Sequence, residues 1–159
     1  MSKSFKTLLW AIFIIYLFVL LFVTLIYNRA AMVYSDISMW QYARRFSNLI
    51  PFKTISMYLD WISDGDRSNN SIPLINLGVN IILLVPLGYL LPSLIKIFRN
   101  FFAYFGGCIV LLAMIEFIQL LTRRGSFDID DFILNIFGAI VAFFIWKLST
   151  SNNVKSEKS

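Results

Sequence analysis

The chain of 159 residues is 58% hydrophobic, and its mean hydropathy is +0.74. Soluble domains are usually about 45–50% apolar, so a single domain of this size needs lipid to cover the excess. The sequence has one cysteine and no histidine, which excludes an intramolecular disulfide and removes the commonest general base and zinc ligand. The net charge of +5 comes from residues scattered between apolar runs, so it does not predict a nucleic-acid-binding patch.

Four apolar runs predict an all-α integral membrane bundle of four transmembrane helices. The first begins near Leu8 and is 20 residues long without a charge, enough to cross a hydrocarbon layer of ~30 Å. Its length exceeds the apolar stretch of a signal peptide, usually about 7–15 residues, so we expect an uncleaved helix. The predicted spans cover residues 8–27, 74–95, 102–122 and 129–148. Residues 1–148 are predicted to form one membrane domain, and residues 149–159 a disordered tail.

Residues 28–73 form a predicted extracytoplasmic loop between the first two spans. Within it, Ile55, Tyr58, Leu59 and Ile62 are spaced like one face of a short helix. Such a helix would either lie flat on the bilayer or fold back on the helix bundle. The spacing leaves both arrangements open.

The distribution of lysine predicts the orientation of the bundle. Four spans put both termini on one side, and Lys and Arg together number seven on each side. However, six of the seven lysines are on the side of the termini, and all seven aspartates are on the other side. Lys3 and Lys6 flank the first helix, which usually dominates orientation. We therefore predict that both termini are cytoplasmic.

Polar side chains occur inside two of the predicted spans, near the ends that this orientation places outside. Asn76 and Asn80 are one turn apart in the second span, and Glu116 and Gln119 are one turn apart in the third, followed by Arg123. A carboxylate within a span costs at least ~2.5 kcal/mol on insertion scales. Glu116 therefore indicates a functional or a paired structural role.

The fourth span begins with a similar polar stripe, in which Asp128, Asp131 and Asn135 are spaced i, i+3 and i+7. If this helix starts at Ile129, Asp128 is its N-cap and Asp131 its N3 residue. Because successive spans alternate in direction, the polar stripes of three helices are at one depth, which predicts a shared polar pocket in the outer leaflet. Its candidate residues are Asn76, Asn80, Glu116, Gln119, Arg123, Arg124, Asp128, Asp131 and Asn135.

Each of these residues also has a purely structural interpretation. Buried amides often join helices in membranes, at about 0.6 kcal/mol each. Glu116 would form a structural ion pair with Arg123 or Arg124, and the segment from Asp128 to Asp131 would be a capped surface turn. Residue spacing alone does not choose between these roles and a pocket.

Several short motifs occur in a fixed order along the chain. They are Asn48-Leu49-Ile50-Pro51-Phe52, Asn80 with Val85-Pro86-Leu87-Gly88, Glu116-Phe117-Ile118-Gln119, Arg124-Gly125-Ser126-Phe127-Asp128-Ile129-Asp130-Asp131, and Asn135-Ile136-Phe137-Gly138. Together they resemble the VanZ-like family of teicoplanin-resistance-associated membrane proteins. The resemblance implies a multi-pass protein of the cytoplasmic membrane in a Gram-positive bacterium. It implies a phenotype, lower susceptibility to lipid-tailed glycopeptides, and carries over no catalytic residue.

The leading hypothesis is a non-enzymatic protein of the cell envelope. Its pocket would bind membrane lipids, a lipid-linked cell-wall precursor or a lipoglycopeptide, with Arg123 and Arg124 meeting a phosphate. We expect no nucleic-acid partner, no cofactor and no metal, and the sequence is compatible with a homo-oligomer.

Two other classes of function remain open. A membrane-embedded enzyme acting on a lipid-linked substrate would use Glu116 as general base, with Asp128 or Asp131 holding a divalent cation. No nucleophile stands out in the sequence for such an enzyme. A small transporter or proton relay would also use a glutamate inside a span, although four helices are few for transport without oligomerisation.

Overall fold

The computed structural model describes residues 2–27, 37–63, 71–123 and 125–156, and it is 86% helical. The helices are α1 (Lys3–Phe22), α2 (Met39–Phe46), α3 (Lys53–Ser63), α4 (Ser71–Leu83), α5 (Val85–Leu94), α6 (Phe101–Leu121) and α7 (Ile129–Ser156). A π-helical turn, Val23–Tyr27, continues α1, and a 3₁₀ turn, Lys96–Arg99, precedes α6. Two strands of two residues each, β1 (Ser47–Asn48) and β2 (Phe127–Asp128), complete the described part of the chain.

In the described part of the chain, four helical stretches are long and apolar enough to cross a membrane, as the sequence predicted. They are Lys3–Leu25, Ser71–Leu94, Phe101–Leu121 and Ile129–Ser151. Large apolar side chains cover the outside of the bundle; in α1, for example, Ile15 is 63% and Phe18 71% exposed. On helices of this length and composition, an apolar surface of this kind is what a lipid bilayer covers. The chain is therefore a multi-pass membrane protein.

The second span is broken in the middle, which the sequence prediction did not include. Pro86 lies in the first turn of α5 and has no backbone N–H to donate. The next N–H, that of Leu87, donates to the carbonyl of Leu84, and the carbonyl of Leu83 instead accepts the hydroxyl of Tyr16 at 2.6 Å. The first span thereby satisfies a backbone group that lipid would leave without a hydrogen bond.

The second and fourth spans pack side by side in the same direction, with two glycines at their contact. A Cβ added to Gly138 of α7 would overlap the carbonyl oxygen of Ile81 in α4. One added to Gly88 of α5 would overlap Ala142 of α7. The backbones of these spans therefore approach as closely as small residues allow.

The first and third spans run in the opposite direction against this pair. Leu9 of α1 packs with Leu90 and Leu94 of α5. Tyr104, near the start of α6, stacks on Phe143 of α7 at a centroid distance of 4.9 Å. The four spans therefore alternate in direction, and the end of α6 comes to the same end of the bundle as the starts of α4 and α7.

The loop between the first two spans folds back on the bundle at one point. β1 pairs with β2 in parallel, with Ser47 opposite Phe127 and Asn48 opposite Asp128. α3 contacts α4 and α7, although none of its residues is fully buried. Residues 28–36 and 64–70 of the predicted loop lie outside the described residues.

The fourth span is longer than the sequence predicted. α7 continues to Ser156, through part of the segment for which we predicted disorder. The hydroxyls of Ser149 and Thr150 donate to carbonyls one turn earlier, that of Thr150 to Trp146 at 3.0 Å. Both hydroxyls thus find acceptors within the helix itself. Residues 157–159 lie outside the described residues.

Candidate functional site

Three of the predicted pocket residues are joined directly by hydrogen bonds. The Nδ2 of Asn80 in α4 donates to Oδ1 of Asp131 in α7. Asn135, one turn after Asp131, donates from Nδ2 to the Asp131 carbonyl at 2.7 Å and to Oδ1 of Asn80 at 3.4 Å. We call Asn80, Asp131 and Asn135 the polar cluster. It lies between the second and fourth spans, beside the contact at Gly138.

Asp128 connects the start of α7 to the loop. It is the N-cap that the sequence predicted, since its Oδ1 accepts the backbone N–H of Asp130 at 2.9 Å. The same oxygen accepts Nδ2 of Asn48 at 3.1 Å, and Oδ2 accepts the hydroxyl of Thr54 at 2.7 Å. Both carboxylate oxygens are thus engaged, so Asp128 contributes to the structure rather than offering a free ligand oxygen.

Asp130, which was absent from the predicted set, is the most completely buried carboxylate in the described part of the chain, at 0% exposure. It accepts backbone N–H groups from Phe52 at 2.5 Å, Thr54 at 2.7 Å and Ile55 at 3.0 Å. These N–H groups open α3, where the helix dipole favours a negative charge. Phe52 adopts a φ of 66°, which turns its N–H toward the same carboxylate. Asp130 therefore caps a helix whose first turn lies more than 70 residues earlier in the chain.

Two further predicted residues contact the loop instead of the polar cluster. Asn76 of α4 donates from Nδ2 to the hydroxyl of Tyr58 in α3 at 3.1 Å. The guanidinium carbon of Arg123 lies 5.9 Å from the ring centroid of Tyr42, a distance typical of a cation–π contact. Tyr42 is 1% exposed and donates its hydroxyl to the carbonyl of Gly125. These contacts hold the loop over the end of the bundle.

The polar residues of the third span lie on its buried face. Glu116 is 7% and Gln119 2% exposed, on the same face as Leu112 and Ile115. Gln119 donates from Nε2 to the carbonyl of Thr24 at 2.7 Å, in the π-helical turn after α1. A π-helical turn leaves backbone carbonyls outside the regular α-helical pattern, and Gln119 satisfies one of them.

The predicted residues therefore collect at one end of the bundle, but they form separate groups. Asn80, Asp131 and Asn135 form the polar cluster; Asp128, Asn76 and Arg123 bind the loop; and Gln119 binds the end of the first span. Glu116 lies on the same buried face as Gln119. Arg124 lies outside the described residues.

Two buried oxygens in these groups retain open capacity for a hydrogen bond. Oδ1 of Asn135 and Oε1 of Gln119 accept no hydrogen bond from the described residues, and Asn135 is only 3% exposed. A buried amide oxygen that accepts no hydrogen bond lowers the stability of the folded protein by about 1–3 kcal/mol. These oxygens are suited to accept from a hydroxyl, amide or ammonium group.

Among the described side chains, no three histidine, cysteine, aspartate or glutamate residues come together as a group that could hold an ion. The polar groups at this end of the bundle are amides and carboxylates close to an apolar surface, and they donate and accept hydrogen bonds.

The comparisons with known proteins agree with this architecture. The profile of the VanZ/LLP1 family matches residues 13–150, which include the second and third spans, most of the first and fourth spans, and the loop. Neither the curated proteins nor the solved structures gave a match. The family profile thus covers most of the chain, including the segments that carry the polar groups. The chain belongs to the VanZ/LLP1 family.

Proposed function

We propose that this VanZ/LLP1 protein binds the polar head of a lipid or other amphiphile at the polar cluster, from the outer leaflet of a bacterial cytoplasmic membrane. The apolar part of the ligand would lie against the lipid-facing helices. Membrane lipids, a lipid-linked cell-wall precursor and a lipoglycopeptide all combine these two parts. Lysine placement supports cytoplasmic termini, which would put the polar cluster near the outer surface.

The open oxygen of Asn135 is the observation that carries this proposal. Asn135 shares its hydrogen bonds with Asn80 and Asp131, yet its own Oδ1 receives none from the described residues. Lipid tails offer no hydrogen-bond donor. A ligand hydroxyl or amide would supply the missing donor, and the open Oε1 of Gln119 offers a second acceptor at the same end of the bundle.

The binding proposal can be tested by identifying what the protein retains on purification. We expect mass spectrometry of the full chain, extracted in mild detergent, to find a lipid whose head group donates hydrogen bonds. Asn135→Leu should reduce the retained lipid about tenfold, the effect of one bond worth ~1.4 kcal/mol. Phe117→Leu, at a lipid-facing position of α6, is the matched control and should retain it.

The melting temperature of each variant separates loss of binding from loss of fold. If Asn135→Leu unfolds, Gln119→Leu provides a second variant on a different helix. Wild-type lipid retention in both folded variants would rule out the proposed site. Recovery of a chemically altered lipid would instead favour the enzyme hypothesis with Glu116 as general base.

Membership of the VanZ/LLP1 family motivates a second part of the proposal: binding at this site lowers susceptibility to teicoplanin-like lipoglycopeptides. Expression in a sensitive Gram-positive host should then raise tolerance to teicoplanin more than tolerance to vancomycin, which has no lipid tail. Asn135→Leu should abolish the difference. An equal change for both drugs, or no change, would argue against a role in binding the lipid tail.

A further inference from the structure

A second concave surface lies at the opposite end of the bundle, far from the polar cluster. A cleft of about 530 Å³ opens between the end of α5, the 3₁₀ turn and the last part of the fourth span. This is the end at which α1 starts and α7 finishes. Its lining includes Tyr89, Ser93, Arg99, Trp146 and Lys147.

The cleft presents two cations and several neutral donors. Arg99 donates from Nε to the carbonyl of Pro92 at 3.1 Å, which fixes the guanidinium and leaves its two terminal amino groups for another acceptor. Lys147 contributes an ammonium group from α7. None of the described residues that line the cleft is acidic. Its electrostatics therefore favour an anion.

The cleft also presents neutral hydrogen-bond donors that could bind an anion. The indole N–H of Trp146 has no acceptor among the described residues, although the side chain is only 8% exposed. The hydroxyl of Ser93, half-buried on α5, likewise makes no hydrogen bond to the described part of the chain. Arginine, lysine, indole and hydroxyl donors around one concave surface match a group with several acceptor oxygens.

The position of the cleft favours a ligand that belongs to the membrane surface. Tyr89 and Trp146 lie near the ends of the second and fourth spans, where tyrosine and tryptophan gather at the boundary between lipid and water. Arg99 and Lys147 lie at the same boundary. A phosphate held there would be level with the phosphates of the surrounding lipids.

We propose that this cleft is a binding site for a phosphate group, supplied by the head group of an anionic phospholipid in the leaflet on the side of the chain termini. Arg99 and Lys147 bind the phosphate oxygens, and Trp146 and Ser93 donate neutral hydrogen bonds. The site is independent of the polar cluster, so failure of either proposal leaves the other standing.

The experiment measures binding of defined lipids to the full chain in nonionic detergent micelles, at ~0.15 M salt to screen general surface attraction. Phosphatidylglycerol should bind and raise the melting temperature, whereas diacylglycerol, which lacks the phosphate, should not. Lys147→Gln should weaken phosphatidylglycerol binding about tenfold, the effect expected when a charged hydrogen-bond partner is lost. Arg99→Gln should do the same.

Lys96→Gln is the matched control, because Lys96 lies in the same 3₁₀ turn but does not line the cleft. Lys147 makes no side-chain hydrogen bond to the described residues, so its replacement tests binding even if Arg99→Gln disturbs the turn. Binding of inorganic phosphate without binding of phosphatidylglycerol would overturn the lipid source and assign the site to free phosphate. Equal binding of diacylglycerol, or equal weakening by Lys96→Gln, would overturn the proposal.

Discussion

The carboxylate of Asp130 accepts the backbone N–H of Thr54 at 2.7 Å, across 76 residues of sequence. Two more backbone N–H groups bind the same carboxylate, so it holds the first turn of α3 against the start of α7. We expect Asp130→Ala to destabilise the protein by about 3 kcal/mol or more, because three donors lose a charged acceptor. Thermal unfolding in detergent measures the loss.

Asp60→Ala is the matched control for Asp130→Ala. Asp60 also belongs to the loop, but its side chain is exposed on α3 and accepts no hydrogen bond from the described residues. Its removal should change the free energy of unfolding by less than about 0.5 kcal/mol. Limited proteolysis should then cut within residues 47–63 much faster in Asp130→Ala alone. Equal protection of both variants would contradict the capping role.

The contact between Gly138 and Ile81 makes a second prediction. A methyl group at Gly138 would overlap a backbone carbonyl, which cannot move aside as a side chain can. We expect Gly138→Ala to separate α4 from α7 and to lower stability by at least about 2 kcal/mol. Gly106→Ala in α6 is the control, because nothing lies within 4 Å of its added Cβ, and it should be neutral or stabilising by up to ~1 kcal/mol. Equal melting temperatures for the two variants would refute the close approach.

Replacing Glu116 tests whether this residue has a functional role or a structural one. We expect Glu116→Gln to retain the melting temperature, since it keeps the shape of the side chain and removes a charge that is costly to insert, while lipid retention falls. If Glu116 instead balances Arg123, its neutralisation would cost about 3–5 kcal/mol, and Arg123→Gln would restore part of the stability. Melting temperatures and bound lipid of the two single variants and the double variant separate these outcomes.

The orientation of the bundle can be determined by labelling single cysteines. Ser126 lies exposed just before β2, and Ser151 lies exposed near the end of the fourth span. A membrane-impermeant thiol reagent should label Ser126→Cys, but not Ser151→Cys, in intact cells. Cys108 is buried in α6, so the unmodified protein serves as the unlabelled control. The reverse pattern would place the polar cluster in the inner leaflet.

The four spans could be predicted because their signal is local. Each is a continuous run of apolar residues, and its length is compared directly with the thickness of a bilayer. The N-cap at Asp128 was predictable for the same reason, since a capping residue lies next to the helix it caps. The break at Leu84 was not predicted, although Pro86 marks it, because proline is also tolerated within membrane helices.

The grouping of the polar residues could not be predicted from their spacing. Depth and helix face place Asn80, Asp131 and Asn135 correctly at one end, but they do not reveal that Gln119 contacts the carbonyl of Thr24. Asp130 was overlooked because its partners are backbone groups, which carry no residue-specific signal in the sequence. Its signal is indirect: it lies two residues after Asp128, whose side chain also binds the loop.

The parallel pairing of β1 with β2 has a consequence for how the protein is made. A ribosome completes residues 47–48 long before residues 127–128, so the loop emerges without its partner strand and without the carboxylates that cap α3. The first half of the chain must therefore wait at the membrane, with its loop unfixed, until the start of the last helix has been synthesised. The fold is thus completed only near the end of translation. A chain that stops before Phe127 would insert into the membrane but could not pair β1 with β2.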